Sequence, residues 1–174
     1  FIRLANDPGL LNISLRNITL STCGIVPQIY RLAEEHLPIT LAISLHAPND
    51  EIRNRILPVS RNFKIEDVVK ASRYYFKTTG RRVTFEYILI KDINASPENA
   101  EELCRLTGKM NCHFNLIPIN GTEHIQLYPP DMNEIRKFVS ILEKHGKSVT
   151  VRRQMGDEIQ AACGQLKRRF LSDK

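Results

Sequence analysis

The sequence predicts an α/β protein with a parallel sheet, either open or bent into part of a barrel. Three observations predict it. Five short segments are rich in β-branched and other apolar residues, segments of helical period lie between them, and no internal repeat or low-complexity linker divides the chain. Strands that alternate with helices pair in parallel through right-handed crossovers. The 174 residues suit one domain with a sizeable core, and 42% hydrophobic against 25% charged residues is ordinary globular composition.

Each element has its own signal. The opening FIRLAND reads as the tail of a helix, and with Phe1 in first place the chain is expected to be a fragment of a longer one. NITLSTC (17–23) is β-branched and stops at Gly24. VPQIYRLAEEH then sets Ile29, Leu32 and Ala33 on one helical face, with Pro27 suited to a first turn. TLAISLHA (40–47) is nearly all apolar, as expected for a strand buried on both faces. Asn49 and Asp50 are good caps for a short helix over NDEIRNRI. IEDVVKASRYYF places Val68, Val69, Ser72 and Phe76 at helical spacing, stopped by Gly80. RVTFEYILI (82–90) is the third strand. Ser96 as cap and Pro97 behind it start a helix whose Leu103, Cys104 and Leu106 read as core. HFNLIPI (113–119) is the fourth strand. DMNEIRKFVSILEKHG then forms an amphipathic helix, with Ile135, Phe138, Val139 and Leu142 inward and Gly146 at its end. SVTVRR (148–153) is the fifth strand.

No apolar run is long enough to cross a bilayer and no signal-peptide pattern opens the chain, so a cytoplasmic protein is expected. Cys23, Cys104, Cys112 and Cys163 stand 81, 8 and 51 residues apart, which matches no zinc or dithiol spacing, and reduced thiols are the simplest reading. Cys112 and His113 are adjacent, but neighbours on a strand point to opposite faces. The net charge of +6 suits a phosphate backbone and equally suits a solvated surface.

Ligands of parallel α/β folds lie beyond the carboxyl ends of the strands. That edge collects Ser21 and Thr22, Ser44 and His46, and Asn120, small hydrogen-bonding groups able to hold a ribose, an amino-acid head group or a base edge. Glu86 sits among apolar neighbours in the third strand. Each also has a plain structural explanation. Ser21 and Thr22 cap helices well, His46 suits a buried ring satisfied by backbone, Glu86 can pair with Arg81 or Arg82, and Asn120-Gly121 is a turn dipeptide. Cys163, inside GDEIQAACGQL (156–166), is either the small face of a closely packed helix or a thiol activated by Lys167 and Arg168.

LSTCGIVP, LAISLHAPND, RRVTFEYILI, FNLIPIN and AACGQL, in this order, resemble the RlmN family of radical S-adenosylmethionine enzymes, which methylate C2 of adenine in ribosomal and transfer RNA. The resemblance runs from about residue 8 to 168 and implies the C-terminal part of a radical S-adenosylmethionine (βα) barrel. It divides the chain into βα repeats over 1–146 and an extension over 147–174. It also implies that Ser21, Ser44, Leu45, His46 and Asn120 contact S-adenosylmethionine and that Cys163 is the methyl carrier. In that family a 5′-deoxyadenosyl radical, made at a 4Fe-4S cluster fed by an electron donor, takes hydrogen from the methylated cysteine. The resulting carbon radical adds to adenine C2, and a second cysteine resolves the adduct by forming a disulfide.

The CxxxCxxC motif that binds the cluster, the Gly-Glu-Pro segment that holds the amino group of S-adenosylmethionine, the resolving cysteine and an RNA-binding domain are expected upstream of Phe1. No metal ligand is assigned within these residues. The carrier loop reads Gly156-Asp157-Glu158-Ile159-Gln160 where the family usually has Gly-x-Asp-Ile-Asp, and Asn94-Ala95 stands where Asn-Asp is usual. The fragment itself is expected to be inactive and the intact enzyme monomeric. Cfr-type adenine-C8 methyltransferases share much of the pattern, and a noncatalytic RNA-binding α/β module is the reading of another class.

Overall fold

In the computed structural model, residues 1–121 and 127–152 are described. Five strands, β1 (Thr19–Thr22), β2 (Thr40–Ser44), β3 (Val83–Leu89), β4 (Cys112–Pro118) and β5 (Ser148–Val151), form one sheet in the order β1-β2-β3-β4-β5. Every pairing is parallel. The helices are α1 (Ile2–Asn6), α2 (Val26–Glu34), α3 (Asp50–Ile56), α4 (Ile65–Thr79), α5 (Pro97–Thr107) and α6 (Met132–Lys144), with 3-10 turns at Leu15–Asn17 and Pro58–Asn62.

Sequential order decides the architecture. When each parallel strand is added on the same side of the last and every crossover is right-handed, the crossover helices fall on one face. A doubly wound sheet must reverse its order at a switch point, and this one does not. The helix-facing residues form the core: Leu41 and Ile43 of β2, Val83, Phe85, Tyr87 and Leu89 of β3, and Phe114 and Leu116 of β4 pack on Ile29, Val68, Leu103 and Phe138 from the helices. The other face is half-buried on the central strands, where β3 and β4 alternate between buried and intermediate along their whole length. This one-sided α/β sheet is the arrangement of part of a (βα) barrel.

The local signals hold with small shifts. The first strand begins at Thr19 because Leu15–Asn17 is wound into the 3-10 turn. Ser96 caps α5 through a reciprocal box with Asn99, and Asp131 caps α6 through one with Glu134. The caps of α2 differ from the expectation. Its N-cap, Ile25, gives no side-chain bond, and Thr22 Oγ1 accepts from Gly24 N at 3.2 Å, closing a turn before the helix. In α4 the inward aromatic is Tyr75, whose OH donates to Ile39 O at 2.9 Å, whereas Phe76 is half-buried. A ring beside a carbonyl at the strand base favours the residue that carries a hydroxyl. Cys104 is packed in the core as expected, and Cys112 points into it while His113 faces the other way.

Candidate functional site

The carboxyl ends of the strands gather Ser21, Ser44, Leu45, His46 and Asn120, and the chain bends sharply there. His46 has φ +61°, a left-handed conformation that non-glycine residues rarely adopt. Its ring is fixed, because Nδ1 accepts from Ile88 N at 3.2 Å. A backbone N–H can only donate, so the proton of the neutral ring sits on Nε2 and makes it a donor. Burial first, then the charge of Arg53, lowers its pKa from 6.5 to about 4, so the ring is neutral at physiological pH. The backbone-satisfied histidine is thus observed, and the same bond orients the free nitrogen.

Two residues for which the sequence suggested no role in the site hold this bend. Arg53 of α3 is fully buried, and its guanidinium donates to Leu45 O at 3.1 Å, Cys23 O at 2.8 Å and Phe63 O at 3.4 Å. It ties the ends of β1 and β2 to the turn before α4, and burial lowers its pKa. Gly24 makes room for it. With φ +92°, a Cβ there would lie 3.0 Å from Arg53 Nη2 and 3.1 Å from Val68 Cγ2. Asn94, fully buried, donates from Nδ2 to His46 O at 2.8 Å and to Ile88 O at 2.7 Å, and accepts from Ile90 N at 2.7 Å. Tyr87 OH in turn donates to Asn94 O at 2.8 Å. The sequence signal for Arg53 was its place one turn after Asn49 and before Ile56, on the inward side of α3. Asn94 stands out only through the resemblance, as the first residue of the Asn94-Ala95 pair after the third strand.

The rim residues differ in what they can offer. Ser44 and Asn120 are half-buried, and among the described residues their side chains take no protein partner. Ser21 is exposed on the outer strand β1. Leu45 is fully buried in the core, with its N donating to Glu86 O at 3.0 Å and its carbonyl accepting from Arg53. Glu86 does not pair with Arg81 or Arg82. It accepts from Asn115 Nδ2 at 2.8 Å, because the register sets it beside Asn115 while both arginines precede the strand. Cys163 lies outside the described residues.

These groups are of the kind that holds a nucleoside, a hydroxyl and an imidazole N–H at the end of β2 and an amide beyond the end of β4. They do not fit an iron–sulfur cluster. Among the described residues no group of three or more His, Cys, Asp or Glu is disposed to hold a metal, and Cys104 and Cys112 are buried in the core, where desolvation pushes the Cys112 thiol up to about 11.

Fold and rim together define a segment of a (βα) barrel with hydrogen-bonding groups at its strand tips. No model of a known protein family matches the chain. Along its whole length, however, it is homologous to the RlmN-type radical S-adenosylmethionine RNA methyltransferases. It is 50% identical over 171 residues to the probable dual-specificity RNA methyltransferase RlmN of Clostridium novyi, covering 98% of this chain and 50% of that protein. The protein of the same description from Thermoanaerobacter sp. is 47% identical over 174 residues, all of this chain and 51% of the relative. The crystal structure of a radical SAM methyltransferase from Sphaerobacter thermophilus superposes with a TM-score of 0.89 at 46% identity, over 94% of this chain and 48% of that one. A domain of a pyruvate-formate lyase-activating enzyme from Bacteroides vulgatus has a TM-score of 0.60 at 15% identity, over 78% of this chain and 80% of that one, which shows the fold alone. The chain spans about half the length of the relatives it matches.

Proposed function

We propose that this chain is the C-terminal part of the catalytic barrel of an RNA methyltransferase that acts on adenine C2 in 23S ribosomal RNA and transfer RNA. The observation that carries the reading is the neutral His46 ring, held by Ile88 N at the end of β2 with its Nε2–H left to donate, in a chain 50% identical to an RlmN over 171 residues. Bound S-adenosylmethionine supplies the methyl group and the adenosyl moiety.

The chain's own residues bind and place. His46 presents Nε2–H as a donor, held by Ile88 N. Ser44 Oγ and the Asn120 amide offer donor and acceptor to ribose or base, and Ser21 extends the row onto β1. Leu45 has its main chain engaged by Glu86 and Arg53 and acts by fixing its neighbours. Cys163, in the 147–174 extension, carries the one-carbon unit as a thioether. Adenine C2 is not nucleophilic, so the carbon has to be tethered where the base can meet it, and placement is the protein's share of the chemistry. The base must leave its stack to reach such a site, and a net charge of +6 favours the RNA backbone. Cluster ligands, the resolving cysteine and the electron-donor surface belong, in this reading, to the remainder of a monomeric cytoplasmic enzyme.

The test is chemical. Full-length protein incubated with methyl-labelled S-adenosylmethionine is expected to carry one labelled methyl on Cys163, and digestion of methylated RNA should place the mark on adenine C2. An unmodified Cys163, or a mark on C8, overturns the reading.

A further inference from the structure

Glu86 is the one carboxylate among the described residues that faces the helix-free side of the central sheet, and the binding reading above makes no use of it. The register aligns Ser44, Glu86, Asn115 and Thr150 in one row across four strands. Successive strands stand about 4.8 Å apart, so the row is continuous along one face. Within it Glu86 Oε2 accepts from Asn115 Nδ2 at 2.8 Å. That bond leaves the second oxygen of Glu86 and the carbonyl oxygen of Asn115 as adjacent acceptors without a protein donor among the described residues. No Lys, Arg or His among the described residues forms an ion pair with Glu86, and the charge of Arg152 just beyond β5 offsets part of its desolvation.

Two residues further along the same strands stand Ile88 and Ile117, half-buried on the same face and paired with each other. Next to Ile88, and held by its backbone, is the His46 ring. From the interior toward the rim the face therefore reads as two acceptors, an apolar shelf, then a donor. Desolvation raises the Glu86 pKa, so the protein holds a costly group here.

We propose that Glu86 and Asn115 form a subsite for the exocyclic amino group of an adenine that lies against Ile88 and Ile117. An amino group brings two N–H donors to two acceptors, while its ring covers the apolar shelf. The inference rests on the methyltransferase reading, which brings two adenines to this face, one in the cofactor and one in the RNA. The chemistry is shared, and the experiment separates the sources.

Binding to the full-length protein is measured for S-adenosylmethionine and S-inosylmethionine, which differ only in an amino group replaced by oxygen (with the accompanying ring proton). In a second arm, RNA stem-loops carry adenine or hypoxanthine at the methylated position. Glu86→Met keeps the side-chain length and removes the acceptor, with Glu86→Gln as a milder companion. Glu86→Met is expected to weaken the amino ligand about tenfold or more in one arm, with Glu86→Gln losing less, while the oxo analogue is bound as by the wild type. A loss confined to the first arm assigns the subsite to the cofactor, and one confined to the second assigns it to the RNA. Equal losses for amino and oxo ligands, as a cation-binding carboxylate would give, or no loss in either arm, overturn the subsite. Wild-type protein that bound none of the ligands would overturn the methyltransferase reading and the subsite with it. Thermal unfolding of the variants separates a folding defect from either result.

Discussion

Arg53 shows how one residue can set a site it does not line. A fully buried guanidinium facing three carbonyls, with no carboxylate of the described residues within salt-bridge range, is a strong constraint, since each carbonyl left alone costs free energy. Arg53→Met should therefore lower stability by about 3 kcal/mol in urea unfolding, although it removes a desolvated charge. Its second effect is electrostatic: with the guanidinium gone, His46 should titrate closer to its ordinary range, seen as an upward move of its ring resonances in an NMR titration. His46 itself predicts a pH dependence. Its pKa falls from 6.5 to about 4 on folding, so the unfolded chain binds the extra proton first. Stability from this residue is full above pH 6.5 and is lost as the pH drops toward 4, by roughly 3 kcal/mol. Protonation of Nδ1 must also break the bond from Ile88 N. Melting temperatures should fall less steeply across that window in His46→Gln than in the wild type. His46 was legible in the sequence because it stands at a strand end. Arg53 and Asn94 were not, because a buried arginine within a charged helix and an asparagine after a strand look like surface and turn residues until their partners are known.

At the level of the elements, hydrophobic period and capping chemistry carried most of the information. Ser96 announced α5 and its cap forms, and the structure adds a matching cap by Asp131 at the start of α6. Ser96→Ala should cost about 1 kcal/mol, measured by chemical unfolding, because it opens the reciprocal box at the start of a helix that packs Leu103 and Cys104 into the core. β2 is buried on both faces, as its apolar run suggested: Leu41, Ala42 and Ile43 are buried in succession, and Thr40 and Ser44 at its ends are half-buried. β3 and β4 instead alternate: Thr84 and Glu86, and His113 and Asn115, repeat at every second residue on neighbouring strands. Their alignment depends on register, which no single segment contains. The Tyr75–Phe76 pair has the same origin, since both fit the helical period and only the carbonyl of Ile39 chooses between them.

For the molecule as a whole, strand order matters most, because it puts the described βα crossovers on one face and leaves the other without a covering helix among the described residues. The alternation of strands and helices made an α/β sheet legible, but open sheet and partial barrel share that alternation, and only order separates them. The bare face also bounds what these 174 residues can do alone. The described residues supply hydrogen-bonding groups for a nucleoside and no arrangement of ligands for a cluster. Reductive cleavage of S-adenosylmethionine needs a bound reductant at the sulfonium, and binding groups without it hold the cofactor but do not cleave it. The outer edge of β1 pairs with no strand among the described residues and carries exposed Thr19 and Ser21, a template for another chain. The isolated 174-residue chain, reconstituted with iron, sulfide and a strong reductant, should therefore yield no 5′-deoxyadenosine by chromatography and should self-associate in sedimentation as concentration rises. Thr19→Lys, which places a charge on that edge away from the strand tips, should reduce the association and leave the missing activity missing. Cleavage by the isolated chain would mean that it holds a cluster site of its own, and the division of labour proposed for the intact enzyme would be wrong.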